Sequence, residues 1–301
     1  MSPLNCQICN STDFRDQPVR YLFNRVSYNL AKCGSCGLLS INPMPGPEDV
    51  RKFYSHEYFQ NDHSCGIKAK SYFEDEMRVQ DKAREALLLV NKYKTSGKLL
   101  EVGCAGGLFL REAQKSGFEV AGLDISEEIA REANEKFGLS IQVGDFVNHP
   151  LQSESVDVVC MFDVFEHFIN PAAVLRKVKQ ILKPDGIVLI DIPTTKNALP
   201  YRLSTLALKS LNKSRTIDSP PYHVFEYTPT TLLKLLRKAG LKTLQAEKYS
   251  TPPRLWKSEY GKPAGRALLS VSRYANFLLS KTTGLFTDRL ILIVCKQSEE
   301  D

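Results

Sequence analysis

The sequence predicts an α/β protein: a doubly wound sheet, with a small N-terminal ribbon before it and a helical cap over it. Three observations predict this. From residue 97 to residue 195, short apolar runs alternate with amphipathic stretches, the rhythm of strand and crossover helix. Four of those runs end at or beside an acid: Glu101, Asp124, Asp145 and Asp163. Ahead of them stand two C-x2-C pairs, Cys6 with Cys9 and Cys33 with Cys36.

The two cysteine pairs are 23 residues apart. Thiolates three positions apart turn onto one ion when the backbone makes a tight knuckle, and Gly34 and Gly37 give the second knuckle a permissive backbone. Two knuckles supply four sulfurs, the closed tetrahedral set of a structural zinc. Between them "VRYLFNRVSYNLAKC" is rich in β-formers and predicts a hairpin. The remaining cysteines, Cys65, Cys104, Cys160 and Cys295, are isolated. Pro43, Pro45 and Pro47 then make a stiff connector before a short helix. Across residues 71–94, Tyr72, Met77, Val79, Ala83, Ala86, Leu87 and Val90 fall at helical spacing, ending near Ser96-Gly97.

The main domain follows. "KLLEVGC" is a continuously apolar strand, as a sheet buried on both faces requires. After a glycine-rich turn, "LFLREAQKSG" predicts a helix with a glycine stop, and "EVAGLD" the second strand. "SEEIAREANEKFG" predicts a helix with Ser126 as N-cap and acids in its first turn. "SIQVGD" and "VDVVCMFD" are the third and fourth strands, "NPAAVLRKVKQILKPDG" a helix, and "IVLIDIP" the fifth strand. "LKTLQAEKYS" and "LILIVCKQ" predict two more strands at the end. The expected units are a ribbon over 1–45, a helical linker and helix over 46–96, and the sheet domain over 97–301. Cap insertions lie at about 196–225 and 250–288.

Composition bounds the class. The chain has 301 residues with 43% hydrophobic and 25% charged, which excludes a disordered chain. No apolar run is long enough to span a membrane, and the N-terminus lacks a basic-then-apolar leader. A cytoplasmic protein with reduced thiols is expected. The net charge of +6 is uneven: residues 196–301 hold 18 Lys/Arg against 8 Asp/Glu, which suggests an anionic partner there.

The turn "EVGCAGG" narrows the ligand. It has no lysine, so it is not a phosphate loop, and it fits G-x-G-x-x-G poorly. Acids at the strand ends favour a ligand with positive charge and free hydroxyls, sitting outside the carboxyl ends of the strands. S-adenosylmethionine has a sulfonium, an ammonium and a ribose diol. Here the chain resembles the class I S-adenosylmethionine-dependent methyltransferases, in "LLEVGCAGG", Asp124, Asp145-Phe146, "FDVFEHFINP" and "ILKPDGIVLIDIP". That resemblance implies a Rossmann-like sheet and a cofactor site of Glu101, Gly103, Cys104, Gly106, Asp124, Ile125, Asp145, Phe146 and Asp163. In it Asp124 takes the ribose hydroxyls and Phe146 lies against the adenine. The cysteine front resembles that of small bacterial methyltransferases acting on sugars, surface polysaccharides or secondary products, which implies O- or C-methylation of a small-molecule or carbohydrate-type acceptor; a glycan or lipid-linked acceptor is the further expectation if the C-terminal helices lie on a membrane.

Transfer to a hydroxyl or carbon acid needs a base. His167, just past the fourth strand, and His223, after a long loop, are the candidates. Asp163, Glu166 and His167 also resemble the metal-binding cluster of quinone-type O-methyltransferases. In the C-terminal region, "YRLSTLALKSLNKSR" and "AGRALLSVSRYANFLLSKTTGLF" read as a cap or, alternatively, as interfacial helices on a membrane. Trp256, beside Pro252-Pro253, is a candidate for the acceptor pocket. The competing readings are an RNA base methyltransferase and a non-catalytic scaffold. The ribbon lacks a basic, aromatic RNA-binding stretch, which argues against nucleic acid.

Overall fold

A computed structural model describes residues 4–53, 76–253 and 263–297. Side chains of residue 51 and of 76–81 and 263–269 are outside the description. Tyr72, Met77, Val79, Cys65 and Trp256 therefore lie, wholly or in their side chains, outside the described residues.

The N-terminal segment forms β1 (Phe14–Phe23), β2 (Val26–Cys33) and β3 (Leu39–Asn42). β1 and β2 make the expected antiparallel hairpin, closed by Asn24 and Arg25, both with positive φ. Such two-residue turns match the twist of the strands they join. A short helix α1 (Pro47–Phe53) follows, and α2 (Glu76–Val90) leads to the main sheet.

That sheet alternates as predicted: β4 (Gly97–Val102), α3 (Leu108–Lys115), β5 (Phe118–Asp124), α4 (Glu127–Phe137), β6 (Ile141–Val143), β7 (Val156–Phe162), α5 (Pro171–Ile181) and β8 (Leu182–Pro193). Ser126 caps α4, its Oγ accepting from Ile129 N. Asn170 caps α5 in the same way, through Ala173 N. One boundary differs from expectation. The sequence predicts that the helix runs through "KPDG", but β8 begins at Leu182 directly after Ile181. Leu182 pairs with Val156, and the register shifts before Val158, so the sheet takes up these residues despite their turn chemistry.

The chain then forms α6 (Leu199–Ser210), β9 (Arg215–Ile217), β10 (Phe225–Glu226), α7 (Pro229–Lys238), β11 (Leu241–Tyr249), α8 (Pro263–Thr283) and β12 (Arg289–Lys296). The seven-stranded sheet runs β11-β12-β8-β7-β4-β5-β6. All its pairs are parallel except those of β12, which is antiparallel to both β8 and β11, as expected for the last strand. Alternate residues of each strand face opposite sides. Leu100, Val102, Val159, Met161, Val188 and Ile190 join α5 and α7 in one core. Leu99, Val158, Cys160, Ile187 and Leu189 join α2, α3 and α4 in the other.

A second sheet was not foreseen in its full extent. Its order is β10-β3-β2-β1-β9. The segment expected to be only a cap supplies both edge strands of the ribbon: β9 runs parallel to β1, and β10 antiparallel to β3. The knuckle residues Cys6, Ile8, Cys33 and Leu38 are buried in the same core as α5 and α7. The ribbon thus packs onto the main domain and reaches the crevice.

Candidate active site

The site begins at the turn after β4. Gly103, Ala105 and Gly107 all have positive φ. At Gly103 (φ 69°) a Cβ would lie 2.6 Å from Val164 Cγ2, so the position needs glycine for both backbone and space. The turn is tied to the next strand by Gly103 N donating to Leu123 O at 2.7 Å. It is tied also by Asp124: Oδ2 accepts from Ala105 N at 2.8 Å and Oδ1 from Ser126 N at 2.9 Å. Asp124 is buried, and burial raises its pKa against the lowering effect of those N–H groups. Glu101 is buried beside it, with no hydrogen-bond partner for Oε2 among the described residues. Burial, then the Asp124 charge, pushes its carboxyl well up. Cys104 and Gly106 are buried in the turn, whereas Ile125 stands 51% exposed at its lip.

The other predicted contacts are placed differently. Asp145 is exposed and braces its own loop, accepting from Asn148 N at 3.0 Å and Nδ2 at 2.7 Å. Phe146 is buried in the core with its ring 6.4 Å from that of Phe168, so it offers no open face to an adenine. Asp163, with φ 52°, directs Oδ1 to Arg289 Nη1 at 2.6 Å. Arg289 also meets Asp191 at 2.9 Å, and Asp191 accepts from Tyr249 Oη. The four acids therefore do not form one open ring. Glu101 and Asp124 stand together, whereas Asp163, its side chain 47% exposed, shares the Arg289 guanidinium with Asp191.

Beyond β7 the chain makes a single 3-10 turn, Phe165–His167. It brings Glu166 and His167 against His223 and Glu226 from β10 and the residues before it. His167 Nδ1 lies 2.7 Å from the Tyr222 carbonyl, which assigns the proton to Nδ1 and leaves Nε2 as the acceptor, 3.8 Å from Glu166 Oε1. His223 Nε2 is 3.9 Å from the same oxygen, and the two imidazoles meet edge to face at 5.0 Å. His223 Nδ1 faces Glu226 Oε1 at 3.3 Å, and Lys196 Nζ pairs with Glu226 at 3.4 Å. Val224 N donating to Glu166 O and Ile41 N donating to Val224 O stitch the two sheets together here.

Burial separates the charges of these groups. It holds Glu166, 1% exposed and with neither oxygen hydrogen-bonded among the described residues, at a pKa of about 8. Burial, then the neighbouring His223, lowers His167 to about 4, so its imidazole is neutral at pH 7. Burial works against charge on His223 as well, but Glu226 outweighs it and raises the pKa. Glu226 is likewise resisted by burial, yet Lys196 and His223 bring it to about 2.

In the ribbon, Cys6 Sγ lies 3.3 Å from Cys36 Sγ, and Cys9 Sγ 3.6 Å from Cys33 Sγ. All four sulfurs lie within 4.8 Å of one another. Tetrahedral zinc with bonds of about 2.3 Å needs sulfurs roughly 3.8 Å apart.

Comparison with known proteins decides the family. A crystal structure of a SAM-dependent methyltransferase from Archaeoglobus fulgidus superposes with a TM-score of 0.52 at 18% identity, covering 74% of this chain and 95% of that one. The fold is therefore that of a methyltransferase sheet. The sequence model of the methyltransferase domain family matches residues 74–246, more than half of the chain. The protein belongs to the class I S-adenosylmethionine-dependent methyltransferases. Among its curated relatives, the ubiquinone biosynthesis O-methyltransferase of Ruegeria pomeroyi is 30% identical over 164 residues, which are 53% of this methyltransferase and 65% of the relative. The protein of the same name from Actinobacillus pleuropneumoniae serotype 5b is 34% identical over 166 residues, 52% of this chain and 70% of the relative.

Within this methyltransferase, sequence reasoning missed Glu226, Lys196, Asp191, Tyr249 and Arg289. Glu226 had a signal, because it follows His223 by three residues in "HVFEY". Lys196 and Arg289 had none, since their partners are 30 and 126 residues away.

Proposed function

We propose that the protein transfers a methyl group from S-adenosylmethionine to a hydroxyl of a small-molecule acceptor, with His167 as general base. The neutral His167, its tautomer set by the Tyr222 carbonyl, is the observation that carries this reading. The residues suit the cofactor: a glycine turn without a phosphate-binding lysine, Asp124 for the ribose diol, the buried Glu101 oxygen for a polar partner, and the exposed Ile125 for the adenine. Bound there, S-adenosylmethionine supplies an electrophilic methyl whose leaving group needs no acid. His167 Nε2 accepts the proton of the acceptor hydroxyl as its oxygen becomes nucleophilic. Glu166, protonated below about pH 8, adds no charge that would hold His167 as an imidazolium. The relatives named O-methyltransferases support oxygen over carbon as the acceptor. The four ribbon cysteines suit a structural zinc.

Calorimetry with S-adenosylmethionine and its demethylated product tests the cofactor. Asp124→Ala should weaken binding about a hundredfold, roughly 3 kcal/mol for two charge-assisted hydrogen bonds. Asp124→Asn, which keeps the shape, should lose part of that. Unchanged affinity in both would sink the reading.

A second reading has its own observation. Donor atoms of Glu166, His167 and His223 lie within 4.8 Å of one another and could hold a divalent ion. His223 here takes the place expected of Asp163, whose Oδ1 is turned to Arg289. Such an ion would lower the pKa of an acceptor hydroxyl. Labelled-methyl transfer into fractionated extract, with and without a chelator, separates the two. If His167 is a simple base, chelation leaves activity intact and His167→Ala lowers it about 10²–10⁴-fold. If an ion acts, chelation abolishes activity and added metal restores it.

A further inference from the structure

Two helices carry surface that the reading above does not use. α6 has no buried residue in its 12 positions. Its contacts run through the face of Tyr201, Thr205 and Leu208, and the opposite face presents Leu203 and Leu206, 56% and 62% exposed. On α8 the inward face is marked by Asn276 and Ser280, both buried. The outward face presents Val271, Tyr274 and Leu278, a stripe at i, i+3 and i+7. Leu211 and Leu285, just beyond the two helices, are also exposed. Of the fourteen large apolar side chains exposed among the described residues, seven are these. The helices touch: Leu199 N donates to Asn276 Oδ1 at 3.0 Å, and the Arg202 guanidinium lies over the Phe286 ring.

The charge on the same segments is of one sign. Residues 197–217 contain Arg202, Lys209, Lys213 and Arg215 and no acid. Residues 263–287 contain Arg266, Arg273 and Lys281 and no acid. A second copy of this chain would bring like charge against like charge. Nucleic acid would satisfy the cations but leave the leucines in water. An anionic bilayer satisfies both, taking the apolar side chains into the acyl boundary and the cations at the headgroups. Tyr274, with an apolar ring and a polar tip, is suited to that interface. No helix among the described residues is long and apolar enough to cross a membrane. The geometry points to α6 and α8 as a peripheral docking face for an anionic lipid surface.

The docking stands on the surface alone; only its consequence rests on the methyl-transfer reading. α6 begins three residues after Lys196, whose ammonium pairs with Glu226 and lies 4.7 Å from the Tyr201 ring centroid. A bilayer on this face is next to the crevice, where an acceptor with an apolar anchor could be drawn from it.

Vesicle flotation of the whole protein tests the inference without turnover. The protein should float with phosphatidylcholine vesicles containing phosphatidylglycerol and not with phosphatidylcholine alone. Neutralising Lys213 and Lys281 to glutamine should weaken binding about fivefold each, about 25-fold together. Leu203→Ser with Leu278→Ser, both at exposed positions, should weaken it at least tenfold. Unchanged thermal midpoints and cofactor affinity would show that both variants fold. Absence of flotation overturns the proposal. So does binding that ignores the leucine pair, which would be electrostatic adhesion only. So does a dimer that the leucine pair dissolves, or tight RNA retention with no vesicle binding. Loss of methyl transfer in protein that still floats would count against the proposed function and not against the docking.

Discussion

Burial, against the opposing pull of the neighbouring His223, keeps the Glu166 carboxyl protonated, and the pH dependence of stability should register it. An unfolded glutamate titrates near 4.3, whereas Glu166 in the folded protein titrates at about 8. Between these values the folded state keeps a proton that the unfolded state has released. Stability therefore falls as pH rises, by at most about 1.4 kcal/mol per unit. His167 acts oppositely: its unfolded value is near 6.5 and its folded value about 4. Below 6.5 the unfolded state takes a proton the folded state refuses, so stability rises with pH up to about 6.5. The two effects offset one another between about 4 and 6.5, and Glu166 remains above that. Melting of the wild type should drop from pH 6.5 to 8, and Glu166→Gln should flatten that drop. Parallel curves for the two proteins would show that Glu166 is not held protonated. His167 was legible as a single residue because it stands just past a strand end, and His223 because it opens a new segment after a long loop. Their shared partner Glu166 Oε1 was not, because 56 residues separate the imidazoles in sequence and only the fold closes that gap.

At the scale of elements, the second cysteine knuckle and the cluster of Glu166, His167, His223 and Glu226 are joined through β3 and β10. Cys33 ends β2, Cys36 follows, and β3 begins at Leu39. Glu226 of β10 pairs with Leu39, and Phe225 with Ser40. A metal that closes the knuckle thus holds the strand that carries Glu226 and positions His223. The purified protein should contain one zinc, and Cys33→Ser should release it. Amide exchange should then quicken over 14–42 and also over 215–226, with cofactor affinity nearly unchanged because the glycine turn belongs to the other sheet. Faster exchange confined to residues before 46 would break the link between ribbon and site. The hairpin was legible from its β-formers, as was α4 from Ser126 and its glycine stop, because caps and turns are local chemistry. β9 and β10 were not: three and two residues long, they have no period of their own and exist by pairing with β1 and β3.

Across the whole molecule, the candidate site lies where two sheets meet. The seven-stranded sheet supplies the turn, Asp124, Glu166 and His167, and the five-stranded sheet supplies His223 and Glu226. The charge asymmetry also resolves at this scale. Of the cations from residue 196 on, Lys196 and Arg289 are held in ion pairs at the site, and exposed ones stand on α6, α7, β11 and α8. Only the exposed ones are available to an anionic surface.

The sequence by itself determined the alternating sheet, the glycine turn with Asp124 at the next strand end, and the pairing of the cysteines into knuckles. Each of these follows from a period, a cap or a spacing within about 25 residues, where backbone geometry leaves few options. The tertiary structure alone decided that Asp163 serves Arg289, that Phe146 turns into the core, and that Glu166 sits between two histidines. These depend on which side chains meet across long loops. That is settled by packing and by the cost of burying a charge without a partner, and neither leaves a local pattern in the chain.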